Sequence, residues 1–451
     1  MPTHDLIILG AGSGNSIIGP EHDDMDVAII ERGLFGGTCL NVGCIPSKMF
    51  VYAAEIAELA AHHGPRLGVH TRMEGADWRS IRDRVFSRID PIATGGEDYR
   101  KGLDNVTVYQ HDARFVGPKE IEVGDETITA EQIVIAAGAR PNIPPIDGLD
   151  DIDYHTSDTI MRIDELPKRL AVLGGGYIAT ELGNVFGMLG SEVTFIVRSD
   201  AMLRNEDGAV SAAFTEAYAQ KFATRFMAGV FSARQDGDEI VLDLFPDHEE
   251  LRVDAVLVAT GRVPNGDQLG LAEHGYDMTD EGYVVTDANL RTNVDGVFAL
   301  GDITNPVQLK HVANHEAKVV RHNLAHPEAM LDVDHRFIPH AVFGHPQVAS
   351  VGLTEREAIA QGIDATCHTQ HYASAAYGWA MDDETSFCKL VMDPHTRTLL
   401  GAHLIGPQAS TLIQQLIQGM VFGLTVDQMA TGQYYIHPAL PEVIEQALLE
   451  L

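Results

Sequence analysis

The apolar positions of this chain fall into short runs rich in β-branched residues, each closed by glycine and separated from the next by a stretch with helical spacing. Leu6-Ile7-Ile8-Leu9 leads into Gly10-Ala11-Gly12-Ser13-Gly14-Asn15 and then into Val27-Ala28-Ile29-Ile30-Glu31. Leu170-Ala171-Val172-Leu173 leads into Gly174-Gly175-Gly176-Tyr177-Ile178-Ala179 and then into Val193-Thr194-Phe195-Ile196-Val197-Arg198. This repeated order of strand, glycine turn, helix and strand predicts two parallel βαβ units. A second echo follows two further apolar runs: Ala136-Ala137-Gly138-Ala139-Arg140-Pro141-Asn142 and Ala259-Thr260-Gly261-Arg262-Val263-Pro264-Asn265. Each is expected to close one unit. From about Phe337 the pattern changes, with Lys389-Leu390-Val391-Met392 reading as a strand and Thr411 to Phe422 as a helix. The expected fold class is therefore α/β, with two Rossmann-like nucleotide-binding domains and a C-terminal α+β domain.

At 451 residues the chain has room for two to four domains. Its charge narrows the partners: 31 Lys and Arg against 65 Asp and Glu give a net charge of −34, which repels phosphate backbones and anionic lipid. Neither nucleic acid nor a membrane surface is an expected partner. No apolar run approaches the roughly 18 residues of a membrane span, and the first run enters a glycine loop at once, unlike a signal peptide. A cytoplasmic location is expected. Four cysteines do not form a disulfide framework, so a closely spaced pair in a reducing compartment reads as redox or metal chemistry. The acidic stretches Asp247-His248-Glu249-Glu250 and Asp382-Asp383-Glu384 read as solvated loops.

A G-x-G-x-x-G loop lets backbone amides at a helix start approach a pyrophosphate. Both copies here depart from it at the third glycine, where Asn15 and Ala179 stand. A carboxylate ending the second strand accepts hydrogen bonds from an adenosine ribose, and Glu31 occupies that place in the first unit. In the second unit Arg198 stands there, with Arg204 six residues on. Cations at this point suit a 2′-phosphate and point to NADPH. The densest motif is Gly36-Gly37-Thr38-Cys39-Leu40-Asn41-Val42-Gly43-Cys44-Ile45-Pro46-Ser47-Lys48. One C-x4-C does not supply the paired C-x2-C of a zinc site, so no metal is expected. On a regular helix the two cysteines would lie about 140° apart, so joining them requires a distorted turn. Spacing leaves a redox pair and two inert cysteines both open.

These motifs, with His437-Pro438-Ala439-Leu440-Pro441-Glu442 near the end, resemble the pyridine nucleotide-disulfide oxidoreductases of class I, over essentially the whole chain. The resemblance implies an FAD-binding domain in two parts, 1–148 and 266–335, an NADPH-binding domain at 149–265 and a dimerisation domain at 336–451. It implies FAD contacts at Gly10, Gly12, Gly14, Glu31, Gly37, Thr38, Lys48, Ala113, Ala137, Gly138 and Asp302. It implies NADPH contacts at Gly174, Gly176, Tyr177, Ile178, Glu181, Arg198, Arg204 and Gly261, with Lys48 and Glu181 paired beside the flavin and Tyr177 gating the nicotinamide. Cys39 and Cys44 would form the redox disulfide, with Cys44 facing the flavin and Cys39 attacking the substrate. His437 would be acid and base in the partner subunit's site of a homodimer, oriented by Glu442.

The implied substrate is a small disulfide. Gly12–Ile17, Lys48–Glu55, Ala376–Met381 and Gly432–His437 resemble the branch acting on mycothione, the disulfide of a cysteine-containing pseudodisaccharide thiol. The alternatives are the dihydrolipoamide-oxidising branch, which carries a carboxylate where Arg198 stands, a reductase of another disulfide such as bis-γ-glutamylcystine, and a non-catalytic FAD-binding redox sensor.

Overall fold

The computed structural model describes residues 2–451. The chain divides into two compact units, one of Met1–Met49, Arg79–Asn142 and Gly261–His335, the other of Phe50–Trp78, Ile143–Thr260 and Arg336–Leu451.

In the first unit Thr3–Leu9 is central, parallel to Val27–Ile30 on one side and Glu126–Ile135 on the other. Val106–Tyr109 extends the sheet beyond Val27–Ile30, and Val297–Ala299 returns from far along the chain to lie parallel to Glu126–Ile135. An antiparallel meander of Ala113–Gly117 and Glu120–Val123 joins the same sheet. Alternate residues of the central strands feed two cores, Ile7, Leu9, Ile133 and Ile135 on one face and Leu6, Ile8, Ile29 and Val134 on the other. A sheet buried on both faces explains why these strands read as unbroken apolar runs.

The expected helix after the first glycine turn is not formed. Gly14–Ser16 makes a single 3₁₀ turn, Pro20–His22 a second, and the chain is already in the next strand at Val27. Gly19 is extended (φ −145°) and Pro20 lacks an amide proton, so no helix propagates across them. In the second unit the corresponding turn opens a full helix, Tyr177–Leu189.

The two echoed segments meet as a two-stranded antiparallel ribbon, Ala139–Pro141 against Arg262–Pro264, with Val263 opposite Arg140. The amide of Asn142 donates to the carbonyl of Gly261 at 2.9 Å, and Asn265 Nδ2 donates to the carbonyl of Ala137 at 2.8 Å.

The second unit holds a parallel sheet ordered Ala223–Phe226, Glu192–Val197, Arg169–Leu173 and Ala255–Val258. A three-stranded antiparallel sheet, Gly229–Asp236, Glu239–Phe245 and Glu249–Val253, accompanies it. The stretch read as an acidic loop is therefore half strand: Glu249 and Glu250 lie in the ladder and pair with Arg225 and Arg234. Residues after Arg336 form a five-stranded antiparallel sheet, with Phe387–Met392 and Leu399–Ile405 adjacent and Ala409–Val421 and Pro441–Leu449 as its longer helices. Strand and helix fall where the sequence places them. Among the described residues no helix is long and apolar enough to cross a membrane.

Gly174 has φ +133°, and a Cβ there would stand 2.3 Å from the carbonyl oxygen of Ala259; at Gly176 a Cβ would meet nothing within 4 Å. Gly174→Ala should cost about 2–4 kcal/mol through strain and overpacking, and Gly176→Ala should stay within about 0.5 kcal/mol. Denaturant unfolding of the two variants checks the contrast.

Candidate functional site

The first glycine turn is built for close approach. A Cβ on Gly10 would lie 2.3 Å from the carbonyl oxygen of Ala136, and one on Gly37 would lie 2.9 Å from Cα of Gly12. Glu31 ends its strand with both carboxylate oxygens engaged, one accepting from Ala11 N–H at 2.8 Å and the other from Gly33 N–H at 2.9 Å. It thereby stands at the rim of the turn, where a ribose would meet it. Asp302 lies in the turn Gly301–Ile303, where burial raises its carboxyl pKa against the opposing charges of Arg262 and Lys310. Ala113 begins its strand, and Ala137 and Gly138 form the bend before the ribbon. A glycine cradle with two carboxylates fits a dinucleotide.

Three side chains that local sequence patterns did not single out complete this cradle. Arg100, almost fully buried, donates from Nε to Asn15 Oδ1 and from a terminal nitrogen to the Asn15 carbonyl, both at 2.7 Å. The Asn15 side chain, which stands where the fingerprint has glycine, is thus held by an arginine. Lys310 reaches Ser13 Oγ at 2.8 Å. Glu316, fully buried, accepts from Gly301 N–H at 2.6 Å and from Asn305 Nδ2 at 3.0 Å and lies 2.8 Å from His335 Nε2, which fixes the turn carrying Asp302.

The cysteines stand directly on this cradle. Gly36 N–H donates to the Ala11 carbonyl at 2.9 Å, so the short helix Gly37–Asn41 starts against the glycine loop. Asn41 Nδ2 ties that start together by donating to the carbonyls of Phe35 at 2.9 Å and Gly37 at 3.0 Å. The helix breaks at Val42 (φ −141°) and a second, Cys44–Glu58, begins at Cys44. This break is the distortion that the spacing demanded. Gly43 lies so near Thr38 that a Cβ would sit 2.8 Å from its carbonyl oxygen. Cys39 is half-buried and Cys44 exposed, both as thiols. The hydrogen bond with Cys44, then burial, raise the Cys39 pKa far above the ordinary thiol range, while the charges of Lys310 and Lys48 act in the other direction.

In the second unit Gly174 and Gly176 form the turn at the head of Tyr177–Leu189, which places Ile178 and exposed Tyr177 in its first turn and buried Glu181 in its second. Glu181 Oε1 accepts from Phe343 N–H at 2.9 Å. Arg198 directly follows its strand and is exposed, as is Arg204. Leu203 N–H donates to the Gly175 carbonyl at 2.9 Å, which sets Arg204 beside the glycine turn.

Near the C-terminus His437 Nδ1 lies 2.7 Å from Glu442 Oε1, whose second oxygen accepts from Ala439 N–H at 3.1 Å. The hydrogen bonds from His437 and Ala439 hold the Glu442 pKa below the usual carboxylate range. The histidine side chain is 73% exposed, so its outer nitrogen is open to another molecule. Cys39, Cys44 and Lys48 fall in the first unit; Glu181, His437 and Glu442 fall in the second.

A nucleotide cradle carrying a dithiol, a second glycine turn and a carboxylate-oriented histidine together describe a disulfide-exchanging oxidoreductase. Residues 4–317 match the pyridine nucleotide-disulphide oxidoreductase model and residues 338–448 that family's dimerisation domain, and the chain belongs to this family of flavin- and pyridine-nucleotide-dependent enzymes. Among individual relatives, it is 48% identical to mycothione reductase of Mycobacterium tuberculosis across 100% of both chains. It is 33% identical to mercuric reductase of Staphylococcus aureus, over 99% of this chain and 82% of that one, and 33% identical to dihydrolipoyl dehydrogenase of Geobacillus stearothermophilus, over 98% and 95%. Its fold is similar to that in the Cu(II) complex of the HOCl-induced flavoprotein disulfide reductase RclA from Escherichia coli, with a TM-score of 0.88 at 26% identity over 100% of both chains.

If Arg100 is what stabilises Asn15 in the first turn, the two should be coupled. A double-mutant cycle of Arg100→Met and Asn15→Gly, followed by denaturant unfolding, should give a coupling of about 1–2 kcal/mol. Additive effects would show that Asn15 stands independently of Arg100.

Proposed function

We propose that this protein is a cytoplasmic, homodimeric, FAD-dependent reductase that uses NADPH to reduce mycothione to mycothiol. The observation that carries the substrate is the 48% identity with a mycothione reductase along the whole chain. NADPH rests on Arg198, at the strand end where a ribose-binding carboxylate would favour NADH, and on Arg204 beside the same glycine turn. FAD is assigned to the cradle of Gly10, Gly12, Gly14, Glu31, Gly37, Thr38, Lys48, Ala113, Ala137, Gly138 and Asp302. NADPH is assigned to Gly174, Gly176, Tyr177, Ile178, Glu181, Arg198, Arg204 and Gly261. The domain division 1–148, 149–265, 266–335 and 336–451 belongs to the same reading.

Held by the cradle, a flavin would supply the two-electron chemistry that links the reduced nicotinamide to the Cys39–Cys44 disulfide. Tyr177 would gate the nicotinamide pocket, and Lys48 and Glu181 would supply charged groups to the flavin site. In the reduced pair we assign the negative charge to Cys44, at the start of a 15-residue helix whose end favours it, and the proton to Cys39. His437 of the partner subunit, its ring oriented by Glu442, takes that proton. The Cys39 sulfur then attacks one sulfur of the substrate disulfide, forming a mixed disulfide and expelling one thiolate. Protonated His437 supplies its proton to that leaving group. Cys44 attacks Cys39, expels the second thiolate, which takes its proton from solvent, and restores the disulfide. Two electrons and two protons enter for each disulfide cleaved into two thiols.

Purified holoenzyme assayed against mycothione, lipoamide, glutathione disulfide and bis-γ-glutamylcystine, with NADPH and with NADH, tests this directly. The highest kcat/KM should belong to mycothione with NADPH. Preference for lipoamide with NADH would transfer the protein to the dihydrolipoyl branch, and absence of turnover with every disulfide would favour a non-catalytic redox sensor. Cys39→Ser should abolish turnover yet keep long-wavelength thiolate-to-flavin absorption, whereas Cys44→Ser should lose both.

A further inference from the structure

Arg204 occupies a tight turn whose two ends are both tied down. Leu203 N–H donates to the Gly175 carbonyl at 2.9 Å, and Glu206 N–H closes the turn onto the Leu203 carbonyl, also at 2.9 Å, leaving Arg204 and Asn205 exposed between them. Beyond Arg204 the chain dives inward. The Glu206 carboxylate, 8% exposed, is 2.6 Å from His340 Nε2 and accepts from Ser350 Oγ at 2.6 Å. Asp207, 1% exposed, accepts from Lys389 Nζ at 2.9 and 3.0 Å and caps the helix Gly208–Lys221 through Ala209 N–H at 3.0 Å. Lys389 is shared with Glu355 at 2.6 Å. His340, Ser350 and Lys389 all lie on strands of the five-stranded C-terminal sheet.

We propose that Glu206 with His340 and Ser350, backed by Asp207 with Lys389, forms a clamp that holds Arg204 in position to read the 2′-phosphate of NADPH, making these residues positioning determinants of coenzyme choice. The inference rests on the NADPH reading above. A buried ion pair adds little net stability over well-packed apolar residues, whereas its directional bonds fix geometry. An arginine on a long flexible stem discriminates a phosphate only if its backbone is placed beforehand; otherwise ordering the turn consumes much of what the contact contributes. The clamp also turns the Glu206 carboxylate inward. Released, it would stand two residues from Arg204 and compete with the phosphate for the guanidinium.

The test compares binding of 2′,5′-ADP and 5′-ADP to the holoenzyme by calorimetry. In the wild type 2′,5′-ADP should bind more tightly. In His340→Ala/Ser350→Ala the affinity for 2′,5′-ADP should fall about tenfold while that for 5′-ADP changes less than about twofold, the tenfold being the lower end for one misplaced charge-assisted bond. Glu206→Gln, which keeps shape and neutralises the carboxylate, should move the ratio in the same direction, and decides the matter alone if the double variant does not fold. His340→Gln, able to donate an amide hydrogen to Glu206, should restore part of the discrimination. Equal weakening of both nucleotides, or an unchanged ratio, would reduce the cluster to a structural role and overturn the clamp. A wild type that does not distinguish the two nucleotides would remove the NADPH reading, and the clamp with it.

Discussion

Everything in the nucleotide-binding halves hangs on one close approach of backbone to backbone. At Gly10 and at Gly174 the chain leaves its first strand with positive φ, and in each case a Cβ would stand 2.3 Å from the carbonyl oxygen of the closing strand, Ala136 or Ala259. The same pair of strands is joined immediately before this point, by Ala136 N–H to the Leu9 carbonyl at 2.8 Å and by Ala259 N–H to the Leu173 carbonyl at 2.9 Å. No side chain fits between them, so glycine is required, and the bend it permits brings the next residues over the end of the sheet. In the first half the cysteine helix is docked on that bend through Gly36 and Ala11. The cysteine pair is thus placed by the element that forms the cradle.

The chemistry of the pair follows from where charge can rest. Cys44 opens a helix, whose end favours negative charge, while the hydrogen bond with Cys44 and burial push the Cys39 thiol up, and on the proposed reading the proton of the reduced pair rests on Cys39. A protonated thiol is a poor nucleophile until a base removes its proton. His437, backed by Glu442 and open on its outer face, has the form of such a base. On the proposed reading it comes from the partner subunit, which makes dimerisation a condition of catalysis. The match of residues 338–448 to a dimerisation domain supports that arrangement.

Much of this was legible in the sequence because it is local. The paired glycine turns, the echoed Ala-Gly-Arg-Pro-Asn-like segments, the cysteine motif and the final histidine motif each lie within about a dozen residues, and each appears in the structure as a turn, a ribbon, a broken helix and a hydrogen-bonded pair. The missing first helix was also within reach, since Gly19-Pro20 interrupts the stretch before Val27. What pattern could not supply were partners distant in sequence: Arg100 meets Asn15 across 85 positions and His340 meets Glu206 across 134. Arg100 sits near the end of the long helix Trp78–Lys101, and only tertiary packing singles it out as buried. A periodicity reports which face is apolar; it does not report which polar residue on that face has a partner waiting.

The central claim, that one catalytic site is assembled from two chains, is tested most directly by a mixed dimer. Subunits carrying Cys39→Ser and His437→Ala, purified as homodimers, should each be slowed by about 10²-fold or more in disulfide reduction. Reassociated and isolated through two different tags, the heterodimer pairs an intact Cys39 from one chain with an intact His437 from the other at one of its two sites. The account predicts recovery to about half the wild-type rate per dimer, one competent site of two. A heterodimer no faster than the mean of the two homodimers would contradict it, placing cysteine and histidine in the same chain's site.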